Sequence, residues 1–226
     1  MEHGFTWFGP LERHASIATA GVVAFILVGF AAYVHRKLAA TESALVPEEG
    51  VTARNVAEAF VEAIVGMAEG VIGHGAERYV PLLASFFIFI LVSNLFGLIP
   101  GFAPPTSDFS VTVALGIVSF LAYHVSGSRE HGPRYVKQFL GPVVFLAPLM
   151  LIVEIFSHAF RPISLGIRLF ANMMADHEVV SIFTKLTFFG VPVLFYFLGA
   201  FVCVVQAFVF TMLSAIYIAL AVSHDH

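Results

Sequence analysis

Long apolar runs separated by short polar stretches organise this chain. Ala15 to Val34 carries no charge and matches the roughly 20 residues that cross a bilayer as one helix. His35-Arg36-Lys37 follows, so the positive-inside rule puts this end in the cytoplasm and the N-terminus outside. Thr41 to Gly50 reads as a polar loop around Pro47-Glu48-Glu49-Gly50. From Thr52 to Ile72, Val56, Ala59, Phe60, Ala63, Ile64 and Met67 recur at helical spacing, with Glu58, Glu62 and Glu69 between them. That pattern predicts an amphipathic helix lying on the membrane surface or against a partner, with a plain helix on the aqueous side as the competing reading. Tyr79 to Pro100 is a second apolar span, with Pro81 near its start and Gly97 and Pro100-Gly101 at its end. Phe102 to Asp108 is then an external loop, and Phe109 to Val125 a third span returning to the cytoplasm. Ser126 to Gln138 carries Arg129, Arg134 and Lys137 against Glu130, which agrees in sign with the first assignment.

From Phe139 onward the pattern changes. The remaining run is too long for two upright spans of about 20 residues each. Glu154, His158, Arg161, Arg168, Asp176, His177, Glu178 and Lys185 interrupt it, and Phe189 to Pro192 is its one strong turn signal. The prediction is two long, steeply tilted helices, over 139–189 and 191–222. The fold class is an all-α membrane protein: one N-terminal span, an amphipathic helix, a helix pair and the two long tilted helices.

Composition supports this class. Of 226 residues, 59% are hydrophobic and 12% charged, against about 25% charged in a soluble domain. Net charge is −4 without a basic block, which excludes a nucleic-acid binder. The single cysteine, Cys203, lies in an apolar run and allows no intrachain disulfide. The first apolar run starts well after Met1 and is followed by charge rather than a cleavage site, so no signal peptide is expected.

Arg168 is the residue hardest to explain as structure. A charge at the bilayer centre costs about 3 kcal/mol by insertion scales, and arginine does not escape by losing its proton. It must face a water-filled path, a carboxylate, or both. At 100° per residue, Asn172 falls about 40° to one side of it and Ser164 about 40° to the other, with Glu154 and Arg161 in the same sector. Asp176 lies at about 80°, and His177 points about 180° away. Two polar clusters on different faces of one helix suggest two aqueous paths that do not meet, with a permanent charge near their junction. Plainer readings exist for most of these residues. Arg161 can snorkel or pair with Glu154, Ser164 can bond its own backbone, and Asn172 or Gln206 can hold helices together. His177 can be an ordinary core histidine.

The segment Arg161 to His177, RPISLGIRLFANMMADH, resembles the signature of subunit a of the F-type ATP synthase, Ser-Leu-x-x-Arg-Leu-x-x-Asn followed by small residues and an acid or histidine. Ser93 to Gly101, Phe102 to Gly116 and Val204 to Ile218 resemble further parts of that family in the same order, so the likeness covers most of the chain from Ala76. The resemblance implies a non-catalytic membrane stator subunit without cofactor or metal, set in a bacterial inner membrane with its C-terminus cytoplasmic. Its partners would be the c-ring, the subunit b peripheral stalk, the other synthase subunits and lipid. Arg168 would face the ring carboxylate that carries the ion. Asn172, His177 and Gln206 would belong to the external half-channel and Glu154 to the cytoplasmic side, with Ser164 on the Arg168 stripe. Some members pair Glu at the position of His177 with His at the position of Gly199; this chain lacks that partner, and Asp176 or Glu178 can supply the missing titratable group. Two other classes compete. A membrane metalloenzyme would want a set such as H-E-x-x-H, and His177-Glu178 has no second histidine. A secondary transporter would show paired halves, whereas the polar residues here crowd into one segment.

Overall fold

The computed structural model describes residues 15–39, 52–73, 75–99, 102, 104–132, 135, 147–186 and 190–223. The predicted loop at 41–50, the basic residues Arg134 and Lys137, the start of the long helix at 139–146 and the turn residue Phe189 lie outside the described residues. The described residues form six helices and no strand: α1 (Ala15–Ala39), α2 (Ala53–Ile72), α3 (Val80–Phe96), α4 (Phe109–His131), α5 (Ala147–Leu186) and α6 (Gly190–Val222). Four of these helices, α1, α4, α5 and α6, are long and apolar enough to cross a membrane.

The helix ends follow local chemistry. Thr52 Oγ1 accepts a hydrogen bond from the Asn55 N–H at 3.3 Å and caps α2. Asp108 Oδ1 accepts from the Ser110 N–H at 2.8 Å and caps α4. Pro81 stands in the first turn of α3, where its missing N–H removes no helical bond. Helices α1 and α4 run past the apolar limits at Val34 and Val125. Their extra turns carry cations, Arg36 on α1 and Arg129 on α4, which the carbonyl ends of helices favour. Helix α3 stops earlier, at Phe96, where the Gly97 N–H turns back to the carbonyls of Asn94 and Leu95.

Helix α6 is the spine of the molecule. It runs parallel to α4, as the bonded pair Ser119–Ser214 (2.8 Å) and the tilted Tyr123–Tyr217 rings (6.0 Å) show. It runs antiparallel to α3, with Phe86 edge-on to Phe210 at 5.4 Å and Leu83 packed with Ala215 and Ile218 nearer the other end. Helix α2 lies against the chain itself, burying Ile64 and Ala68 beside Leu83, Tyr123 and Ile218. The periodic stripe is therefore only partly the packed one. Phe60, Ile64 and Met67 turn inward with Ala68 and Val71, while Val56, Ala59 and Ala63 stay exposed. The shift follows from Ala68, a small residue that admits close helix contact but adds little to an apolar period.

Helices α5 and α6 hold 40 and 33 residues. At about 1.5 Å per residue they are roughly 60 Å and 50 Å long, against a hydrocarbon core of about 30 Å. Apolar residues such as Phe156, Phe160, Phe197 and Phe201 are exposed along both, so both need lipid or a partner for most of their length. Such helices stay in hydrocarbon only by leaning steeply. Helix α5 crosses α4 antiparallel at very close range. A Cβ on Gly116 would collide with the Pro162 carbonyl, and one on Gly166 would sit 3.0 Å from the Thr112 carbonyl. Both obstacles are backbone, which cannot rotate away.

Gly116→Val should therefore destabilise the fold by about 1–3 kcal/mol, read as a lowered thermal midpoint of the purified protein in detergent. Gly66→Ala, at an open position on α2, is the comparison and should leave the midpoint unchanged or slightly raised. Equal midpoints for the two variants would show that α4 and α5 do not cross this closely.

Candidate functional site

Helices α5 and α6 form an antiparallel hairpin. Phe183 and Phe195 stack at 4.1 Å nearest the turn. Moving away from it, Asp176 faces Gly199, Asn172 donates from Nδ2 to Gln206 Oε1 at 2.8 Å, and the Arg161 guanidinium lies 5.2 Å from the Tyr217 ring centroid. The polar residues of α5 thus meet α6 in a ladder, each rung at its own level.

The stripe predicted for Glu154, Arg161, Ser164, Arg168 and Asn172 divides into four environments. Glu154 and Arg161 do not pair. Glu154 Oε1 takes His158 Nε2 at 3.1 Å, and Arg161 stacks on Tyr217. Asn172 goes to Gln206. Ser164 and Arg168 are exposed, and among the described residues neither side chain has a hydrogen-bond or ion-pair partner. Around Arg168 the open face of α5 presents Ile163, Ile167 and Met174. A guanidinium thus stands on an apolar membrane helix, pointing away from its own chain.

Asp176, His177 and Glu178 also separate. His177 and Glu178 are exposed, whereas Asp176 turns inward. Its Oδ2 would lie 2.7 Å from a Cβ placed on Gly199, with Leu98 at 3.0 Å from the same point. The absence of a side chain at Gly199 is what gives this carboxyl its space. Asp176 Oδ2 is buried with no hydrogen-bond partner among the described residues, as are Ser93 Oγ and Asn94 Nδ2 on α3. Asn94 Oδ1 accepts from Thr106 Oγ1 at 2.6 Å, which ties the loop before α4 to the end of α3. Unpartnered buried polar atoms of this kind are where ordered water belongs.

The sequence matches the family model described as ATP synthase A chain over residues 17–219. It is 46% identical over 219 residues to the ATP synthase subunit a of Bdellovibrio bacteriovorus, covering 96% of each chain. It is 41% identical over 213 residues to that of Trichlorobacter lovleyi and 38% identical over 213 residues to that of Geobacter sulfurreducens, each covering 94% of this chain and 92% of the relative. The chain belongs to the ATP synthase subunit a family. Membership places it among the proton-transporting membrane components of ATP synthesis, with other synthase subunits as partners and no catalytic site implied for the subunit itself.

One part of this subunit escaped periodicity arguments. Tyr123 O–H lies 2.9 Å from His158 Nδ1, and Tyr135 O–H 2.9 Å from His124 Nδ1. Burial pushes the Tyr135 phenol above its ordinary value, so it stays protonated. The Glu154–His158 spacing, four residues on one helix, was readable as a contact. Its tyrosine partner comes from α4, and no linear signal predicts it.

Asn172 and Gln206 should couple energetically. A double-mutant cycle with Asn172→Ala and Gln206→Ala, followed by thermal or denaturant unfolding in detergent, should give an interaction energy of about 0.5–2 kcal/mol. Strict additivity would show that the two amides do not bond.

Proposed function

We propose that this chain is the stator that routes protons through two half-channels to and from the c-ring, with Arg168 as the barrier between them. One observation carries the reading: a permanent charge exposed on the apolar face of a membrane helix, with no hydrogen-bond or ion-pair partner among the described residues. Hydrocarbon is a poor environment for such a group. A carboxylate presented by another subunit satisfies it.

The chemistry follows from the guanidinium. Arg168 favours the ionised form of a carboxyl that arrives beside it, so a ring carboxyl gives up its proton there. Guanidinium has no acceptor site and does not pass a proton on. A proton therefore cannot hop between the paths and crosses only by riding the ring. The external path comprises Asp176, Asn172 and Gln206 between α5 and α6, with His177 and Glu178 at its exposed edge. Glu154 and Ser164 belong to the cytoplasmic path. This orientation places the N-terminus outside and the C-terminus in the cytoplasm of a bacterial inner membrane, with the peripheral stalk holding the subunit against rotation. DCCD-sensitive, ATP-driven pumping that is lost without this chain separates the reading from a solute transporter, which would instead exchange solute across the purified membrane.

Arg168→Ala should abolish ATP-driven proton pumping and ATP synthesis while the complex still assembles, because Arg168 is exposed and has no hydrogen-bond or ion-pair partner among the described residues. Normal pumping in that variant would refute the barrier role.

Within the external path, Asp176→Asn should slow ATP synthesis at fixed proton-motive force by about tenfold or more. His177→Leu should have a smaller effect, because its side chain stands at the edge. Combining both changes with Glu178→Gln should remove most of the remaining rate, and passive proton leak should stay at the wild-type level. Unchanged synthesis in the triple variant would place the external path elsewhere, and a raised leak would place the barrier elsewhere.

A further inference from the structure

A hydrogen-bonded chain runs inward from the open face of α5. Glu154, with 41% of its side chain exposed, is bonded through Oε1 to His158 Nε2 at 3.1 Å. His158, 13% exposed, is bonded through Nδ1 to Tyr123 O–H at 2.9 Å. Tyr123 is 1% exposed and is packed with residues of α2, α3 and α6. The His124 ring lies 4.4 Å from Tyr123 and 5.3 Å from His158, and Tyr135 is bonded to it in turn. Arg161 stands next to this group over Tyr217. Pro162 stands inside α5 and makes no i→i−4 bond to the carbonyl of His158.

We propose that His158, with Tyr123, relays protons between Glu154 and the interior of the helix bundle, extending the cytoplasmic path towards the end of α4 that carries Arg129. The proposal rests on the half-channel reading above. Its ground is the bonding of the imidazole. With Glu154 ionised, His158 Nε2 carries a proton and donates it to the carboxylate. A neutral ring then has a bare Nδ1, which accepts from Tyr123 O–H. A proton arriving at the Tyr123 oxygen lets the phenol pass its own proton to Nδ1. The Nε2 proton then moves to Glu154, and the carboxyl is neutral. After Glu154 releases that proton towards the ring of c subunits, the imidazole resets by exchange with water of the path, giving up the proton on Nδ1 and taking one on Nε2. One proton enters and one leaves, and the reverse sequence serves ATP synthesis. A purely structural network would need the bonds but not the two exchangeable ring nitrogens.

The test uses the assembled synthase in inverted membrane vesicles, whose outer surface is the cytoplasmic one. His158→Ala should lower ATP-driven pumping about tenfold or more, with the catalytic sector still bound. Added imidazole should restore a large part of the rate in this variant and leave the wild type unchanged. A full pumping rate in His158→Ala, or a deficit that imidazole does not change, overturns the relay. If His158→Ala does not assemble, Tyr123→Phe decides: it keeps the ring and loses only the hydroxyl. Slowed pumping with a changed pH profile supports the relay; a normal rate and profile overturns it. Arg168→Ala in the same vesicles separates the two levels of the account. If it pumps normally, the half-channel reading has failed. If it is inactive while His158→Ala is fast, the relay alone has failed.

Discussion

A guanidinium keeps its proton in any environment a protein offers, and hydrocarbon tolerates an unneutralised charge poorly. Arg168 combines these two facts on the exposed side of α5, among Ile163, Ile167 and Met174. Among the described residues nothing bonds to it. Much of the remaining structure can be understood as holding that charge in place. Helix α5 is long and apolar, so it leans in the membrane and leaves apolar side chains exposed along its length. Helix α6 backs it, and the ladder from Phe183–Phe195 to Arg161–Tyr217 fixes the register of the pair.

Close packing is achieved by leaving side chains out. Gly116 and Gly166 bring α4 and α5 to backbone contact, and Gly199 leaves room for the Asp176 carboxyl. In a bilayer, helices gain little by hiding apolar surface from lipid, so small residues and interhelical hydrogen bonds carry more of the association. Ser119–Ser214 and Asn172–Gln206 are bonds of that kind. The Gly199 site has a further consequence. Gly199 carries no side chain, and the Asp176 carboxyl of the facing helix takes that space.

The helices were legible because length and apolar character dictate them. Apolar segments read at 15–34, 79–100, 109–125 and 191–222 overlap α1, α3, α4 and α6, of which α3, with 17 residues, is a shorter apolar helix. The ends shifted where capping and terminal cations, rather than hydropathy, decide the boundary. Arg168 was legible because no local role explains a permanent charge in that setting. The fate of the other polar residues was not. A helical wheel puts Glu154, Arg161 and Asn172 in one sector, yet each finds a different partner, because α4 and α6 cross α5 at different levels. Asp176 and His177 are adjacent in sequence, but only Asp176 turns inward, and that depends on the gap at Gly199. The Tyr123–His158 and Tyr135–His124 pairs join residues 35 and 11 positions apart. Contacts of that range are set by the fold and leave no mark in local periodicity.

The account makes Arg168 a partner for a charge it does not itself contain. A structure of this chain assembled with its c-ring tests that directly, through the distance from the Arg168 guanidinium to the nearest ring carboxyl. The account predicts one ring carboxyl facing Arg168 across the open side of α5, within about 4–6 Å. Water-accessible cavities should reach this point from opposite sides of the membrane without joining. A ring seated against another face of the molecule, with Arg168 turned to lipid, would contradict it.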